Sequence, residues 1–160
     1  MNVLELAMKM ERDGEIFYRE LAAKASTVGF REIFNQLADD EVKHYQHFQD
    51  LQSKQESFIE TRVLKNAANI FRQIIAENSL NSLDESQLDL YQKAMELEKK
   101  SQTYYLEQAE AAADDTQKAL LRMIAAEEGK HYFLLHNIYE LVLHPQVWVE
   151  NGEFVHLEEY

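Results

Sequence analysis

The chain has no cysteine, and only one proline and four glycines among 160 residues. Without cysteine there is neither a disulfide framework nor a thiolate metal site, so any metal must be held by carboxylate and imidazole. With so little proline and glycine, helices meet few interruptions, and all-α is the natural class. Positive charge is also scarce: 16 Lys and Arg stand against 29 Asp and Glu, a formal charge of −13. No basic stripe exists to neutralise phosphates, so nucleic acid is not the expected partner, and an acidic surface is repelled by anionic membranes. No uncharged apolar run reaches the roughly 18 residues that a membrane span needs. Met1-Asn2-Val3-Leu4-Glu5 lacks the basic-then-apolar layout of a signal peptide. The expectation is one soluble, cytoplasmic domain with a real core.

What the chain does have is helical periodicity in four long segments. The first is expected from Val3 to Ser26, with Asn2 as N-cap, Thr27-Val28-Gly29 as exit turn and an inner stripe that includes Leu4, Ala7, Tyr18 and Leu21. Glu11 lies in the middle of that stripe, where a single Glu would ordinarily be an edge carboxylate. The second runs from Phe30 to Lys54 and carries Glu41 and His44 among Phe34, Leu37, Ala38 and Phe48. His47, one turn further on, has Leu134 as its counterpart in the second half and reads as an ordinary histidine.

Residues from Gln55 to Glu85 form a connection with loop markers Ser57, Asn78, Ser79, Asn81, Ser82 and Asp84. Within it Val63 to Glu77 has helical periodicity of its own. A connection of that length suits a crossover along a bundle, whereas simple up-down bundles use short loops. The third long helix is expected from Asp84 or Ser86 to Ala113 with Glu98 facing inward. The fourth follows the Asp114-Asp115-Thr116 turn and stops before Pro145 at Leu143. The expected architecture is a ferritin-like four-helix bundle over 1–144, with a short helix in the crossover and a tail, 145–160. The tail's Val147, Trp148, Val149 and Phe154 are expected to pack on the bundle or on a partner subunit.

The informative feature is an internal repeat. Glu41-Val42-Lys43-His44 and Glu128-Gly129-Lys130-His131 are two Glu-x-x-His tetrads offset by 87 residues (128 − 41), and the same offset carries Glu11 onto Glu98 and Tyr18 onto Tyr105. Ala7 with Ala94, Met8 with Met95 and Tyr45 with Tyr132 follow the same register. Glu15, which faces the core nearly as well as Glu11, corresponds to Gln102, so the repeat selects particular acids from a Glu-rich chain. Glu153-Phe154-Val155-His156 is a third tetrad without a partner, a measure of how little one tetrad means alone. Residues three apart on a helix share a face, so each tetrad aims two donors at one point. Four carboxylates buried together would lose hydration and repel one another unless compensated. Two divalent cations balance them, and neutral imidazoles complete the set, as in dimetal four-helix bundles. Oxygen-rich ligation favours iron or manganese over a structural zinc.

On these residues, over 3–143, the chain resembles the rubrerythrin family of the ferritin-like superfamily. The resemblance implies a non-haem di-iron site with Glu11, Glu41, His44, Glu98, Glu128 and His131 as ligands, for which manganese or zinc are the substitutes to consider. It also implies that Tyr18 and Tyr105, each seven residues after a ligand Glu, donate hydrogen bonds to ligand carboxylates. Two departures stand out. Rubrerythrins typically carry a rubredoxin domain with cysteine-bound iron, and this chain has no cysteine. They also usually have a further glutamate one turn after the third-helix ligand, where this chain has Ser101, matching Gly14 in the first half.

Three functions follow. The first is an oxidoreductase that reduces hydrogen peroxide or dioxygen in oxidative-stress defence, fed by a separate donor such as a rubredoxin-type protein. The second is ferritin-like iron oxidation and handling, and the third a non-enzymatic bundle stabilised by metal. The acidic surface and apolar tail point to a homodimer.

Overall fold

A computed structural model describes residues 1–54, 58–77, 80, 83–150 and 157. The regular structure among these residues is helical: α1 (Val3–Lys24), α2 (Val28–Gln52), α3 (Val63–Ala76), a 3-10 turn (Glu85–Gln87), α4 (Leu88–Ala111), α5 (Asp115–Leu143) and α6 (Pro145–Glu150). The architecture is the expected all-α, ferritin-like bundle. α1 pairs extensively with α2 and α4 with α5, giving two hairpins, while α3 lies in the crossover and packs on α2 and α5. No described helix is long and apolar enough to cross a membrane.

The helix ends follow from local hydrogen bonding. Asn2 and Glu5 form a capping box, each side chain accepting from the other's backbone N–H, at 2.8 and 3.3 Å. Asp114 caps α5 by accepting from Thr116 N–H at 3.1 Å. The expected α1–α2 turn is shifted. α1 ends at Lys24, and Thr27 starts α2 by accepting from Phe30 N–H at 3.1 Å. Val28 and Gly29 are therefore helical. Likewise Asp84 caps only the 3-10 turn, and α4 proper begins at Leu88.

The core is divided into two apolar clusters. One holds Tyr18, Leu21, Phe34, Leu37, Tyr91, Leu135 and Ile138 with much of α3. The other holds Ala7, Phe48, Tyr105, Leu121 and Ile124. On every long helix the candidate ligands fall between residues of the two clusters: Glu11 between Ala7 and Tyr18, Glu41 and His44 between Ala38 and Phe48, Glu98 between Ala94 and Tyr105, Glu128 and His131 between Ala125 and Leu134. A polar layer thus crosses the bundle between two dry ones.

Pro145 opens α6, whose Trp148 is buried, 5.3 Å edge-on to Phe71, with its indole N–H donating to Asn137 Oδ1 at 3.1 Å. Phe154, the Asn151-Gly152 pair, the Glu153 to His156 tetrad and the loop markers Ser57, Asn78, Ser79, Asn81 and Ser82 lie outside the described residues.

Gly29 serves packing rather than a turn. A Cβ there would stand 2.7 Å from Ile70 Cγ2 on α3 and 3.8 Å from Ile74 Cδ1. Gly29→Ala gains ~1 kcal/mol of helix propensity but overpacks this contact at a cost of ~1–3 kcal/mol. Urea unfolding should show a net loss of stability, partly restored by Ile70→Leu, which lacks the crowded methyl. A Gly29→Ala protein at least as stable as wild type would contradict this account of the α2–α3 contact.

Candidate metal centre

The six residues singled out by the repeat meet in the polar layer, all at 4% exposure or less. They form two overlapping groups, Glu11, Glu41, His44, Glu128 and Glu41, Glu98, Glu128, His131, and within each group one donor atom per residue lies within 4.8 Å of the others. Glu41 and Glu128 belong to both. Each group therefore has one terminal carboxylate, one histidine and a share in two central carboxylates. The repeat appears in space as near two-fold symmetry, with the His44 and His131 rings stacked at 5.6 Å and 19°.

Both histidines turn Nδ1 toward the carboxylates. His44 Nδ1 is 3.2 Å from both Glu11 Oε2 and Glu128 Oε1. His131 Nδ1 is 3.0 Å from Glu41 Oε1 and 3.2 Å from Glu98 Oε1. Their orientation is set by two acids that sequence reasoning missed. His44 Nε2–H donates to Glu127 Oε1 at 2.8 Å, and His131 Nε2–H donates to Asp40 Oδ2 at 2.9 Å. An ionised carboxylate only accepts, so it fixes the proton on Nε2 and leaves the Nδ1 lone pair facing inward, available to a metal. Asp40 and Glu127 stand at the repeat's own offset (127 − 40 = 87), immediately before each tetrad. That acid pair was the available signal.

The tyrosines complete the arrangement. Tyr18 Oη–H donates to Glu98 Oε1, and Tyr105 Oη–H donates to Glu11 Oε1. Burial, reinforced by neighbouring carboxylates, pushes both phenols well above their ordinary range, so they remain donors. All four supporting bonds cross between hairpins: α1 to α4 twice, and α2 to α5 twice. His47 belongs to neither group; its ring lies 5.0 Å from Phe58, and its Nε2 accepts from Ile59 N–H at 3.5 Å.

The donor set fits a pair of metal ions. It offers hard oxygens and two imidazole lone pairs, and Glu98 Oε2 is buried with no hydrogen-bond partner among the described residues. Glu41 Oε1, close to His131, also lacks hydrogen-bonding geometry. Beside the centre, between α1 and α4, a cavity of about 350 Å³ is lined by Gly14, Phe17, Leu97 and Ser101 and reaches Glu41, Glu98 and Glu128.

Protein groups alone set a distinctive protonation pattern. Burial, with repulsion from neighbouring glutamates, pushes Glu41 and Glu128 well above the carboxylate range. Burial opposes charge on His44, yet hydrogen bonds to Glu11 and Glu127 outweigh it and raise His44 to about 10. Burial likewise opposes charge on Glu11, but bonds from Glu41 and His44 win and lower it to about 2. His131 is also raised and Glu98 lowered, in both cases because their mutual attraction overcomes burial.

The stability of chelator-treated protein should follow these shifts. His44, raised from 6.5 to about 10, contributes fully below pH 6.5 and loses its contribution as pH climbs through 10. Glu41 and Glu128 act in the same direction. Glu11, lowered from 4.5 to about 2, contributes above pH 4.5 and loses its contribution as pH falls through 2. Melting temperature should therefore decline from pH 6.5 toward 10. A flat profile over that window would mean that these groups titrate as solvated side chains.

Comparison with known proteins agrees with the geometry. A solved structure of a hypothetical protein from Pyrococcus furiosus is similar, with 25% identity over 88% of this chain and 87% of that one, and a TM-score of 0.64. No curated protein sequence matches significantly. The rubrerythrin family profile matches residues 2–139, which takes in all six candidate ligands, their tyrosine donors and both histidine-holding acids. The chain belongs to the rubrerythrin family.

Proposed function

We propose that the protein is a cytoplasmic non-haem di-iron oxidoreductase that reduces hydrogen peroxide, or dioxygen, with electrons from a separate donor of rubredoxin type, and that it works as a homodimer. The observation that carries this reading is the sharing of Glu41 and Glu128 between two donor groups. A single-ion site has no use for that sharing. Glu11 and His44 would hold one ion, Glu98 and His131 the other, and Glu41 and Glu128 would serve both, with manganese or zinc as the competitors for the same donors.

Six buried carboxylates support a redox-active metal. The four candidate ligands balance two divalent ions, and adding Asp40 and Glu127 balances two trivalent ones. An iron pair supplies one electron from each metal and Lewis acidity toward oxygen, so that one peroxide, two electrons and two protons give two waters.

The chain's own residues hold and shape the site. The Tyr18 and Tyr105 hydroxyls each hold one terminal carboxylate by a donated proton, limiting its swing. Asp40 and Glu127 hold the imidazoles at Nε2. Gly14 keeps space at the centre: an added Cβ would come 3.2 Å from Glu41 Oε2. With Ser101 it lines the cavity through which a small oxidant reaches the carboxylates. Phe17 and Leu97 make much of that wall apolar.

Stopped-flow oxidation of the diferrous protein by peroxide and by dioxygen, followed by turnover with a rubredoxin-type donor, tests the proposal. Rapid oxidation by peroxide, with cycling only when donor is added, is the expected result. Preferential oxidation by dioxygen with more than two irons accumulating per chain would replace it by iron handling. Inertness to both oxidants would leave a metal that only stabilises the fold.

A further inference from the structure

We propose that Thr61, in the crossover just before α3, is a positioning residue for both histidines at once. This inference rests on the dimetal reading of the centre. Asp40 and Glu127 lie on different helices, and each holds the histidine of the opposite hairpin. Thr61 touches both acids. Its hydroxyl donates to Asp40 Oδ2, and its backbone N–H donates to Glu127 Oε2 at 2.6 Å.

The direction of the hydroxyl proton is fixed by its surroundings. Thr61 Oγ1 accepts from Val63 N–H at 3.1 Å, and a hydroxyl has one proton to give, so that proton goes to Asp40. Two chains of hydrogen bonds therefore leave a single residue. One runs from the Thr61 hydroxyl through Asp40 to His131, and the other from the Thr61 backbone through Glu127 to His44. Each acid uses one interaction to hold a histidine and another to be held itself, the arrangement that fixes ligand orientation in metal sites.

The segment carrying Thr61 is pinned on both sides. Phe58 packs on the His47 ring at 5.0 Å, and Glu60 pairs with Lys130 Nζ at 2.9 Å. Phe58 and Glu60 thus tie the segment to α2 and α5, the two helices that carry the tetrads. Thr61 itself is only half-buried, and although its Oγ1 accepts from Val63 N–H at the entrance of α3, that bond uses only a lone pair and leaves the hydroxyl proton for Asp40. The crossover is thereby part of the site's support as well as a connection between hairpins.

The two arms of Thr61 differ chemically, which makes the inference testable. Thr61→Val keeps the shape and the backbone N–H but removes the hydroxyl, so it should release Asp40 and His131 while leaving Glu127 and His44 held. Thr61→Ser keeps both arms. Cobalt(II) titration with chelator competition reads the two binding steps, and NMR of the Nε2–H protons in chelator-treated protein reads each histidine separately. In Thr61→Val one binding step should weaken by about tenfold, the His131 Nε2–H signal should shift or exchange faster, and that of His44 should stay. Thr61→Ser should behave as wild type. Equal weakening of both steps, with both histidine signals perturbed alike, would reduce Thr61 to a general structural role and overturn the inference. Wild-type uptake of two cobalt ions with an unchanged Thr61→Val protein would overturn it while leaving the dimetal reading intact. A wild type that takes up no cobalt would overturn both.

Discussion

The structure is organised around the burial of carboxylates. Glu11, Glu41, Glu98 and Glu128 occupy one layer of the bundle, with Asp40 and Glu127 just behind, and none is more than 4% exposed. Removing a carboxylate from water costs several kcal/mol even after relaxation, and Glu41 and Glu128 each lie close to both Glu11 and Glu98. Protein groups alone manage the problem by proton uptake, raising Glu41, Glu128 and both histidines. Metal cations answer it more completely, and metal binding would then release protons from these groups. A fold that needed only stability would fill this layer with apolar side chains.

The same layer ties the two halves of the bundle together. Within a hairpin, α1 packs along α2 and α4 along α5, but contacts between hairpins are sparser. At the centre four supporting interactions run across that division: Tyr18 to Glu98, Tyr105 to Glu11, Asp40 to His131, Glu127 to His44. Each half orients the candidate ligands of the other. Correct hairpin docking and correct site geometry are thus one condition, met by directional bonds where apolar packing alone would tolerate sliding.

The clustering of the six candidate ligands was legible because an 87-residue offset (128 − 41) picks six residues of the right chemistry out of an acid-rich chain, and helical spacing puts each tetrad on one face. Asp40 and Glu127 stand in the same register but escaped notice. They differ in residue type, lie beside the inward stripe, and find partners across the bundle that spacing along one helix does not reveal. Asp40 is four residues from His44, a natural local pair, yet it holds His131. Thr61 has no counterpart in the repeat, and only the docked crossover reveals its role. Gly29 reads as a turn residue in sequence, whereas its lack of a side chain answers to Ile70 of another helix.

The central claim is that Glu41 and Glu128 are shared by two metal ions whereas Glu11 and Glu98 each serve one. Metal stoichiometry of single alanine variants, purified from iron-supplied cells and measured alongside wild type, tests it most directly. The account predicts close to two ions per chain in wild type, about one in Glu11→Ala and Glu98→Ala, and loss of both in Glu41→Ala and Glu128→Ala. Equal losses in all four variants, or one ion per chain in wild type, would contradict it.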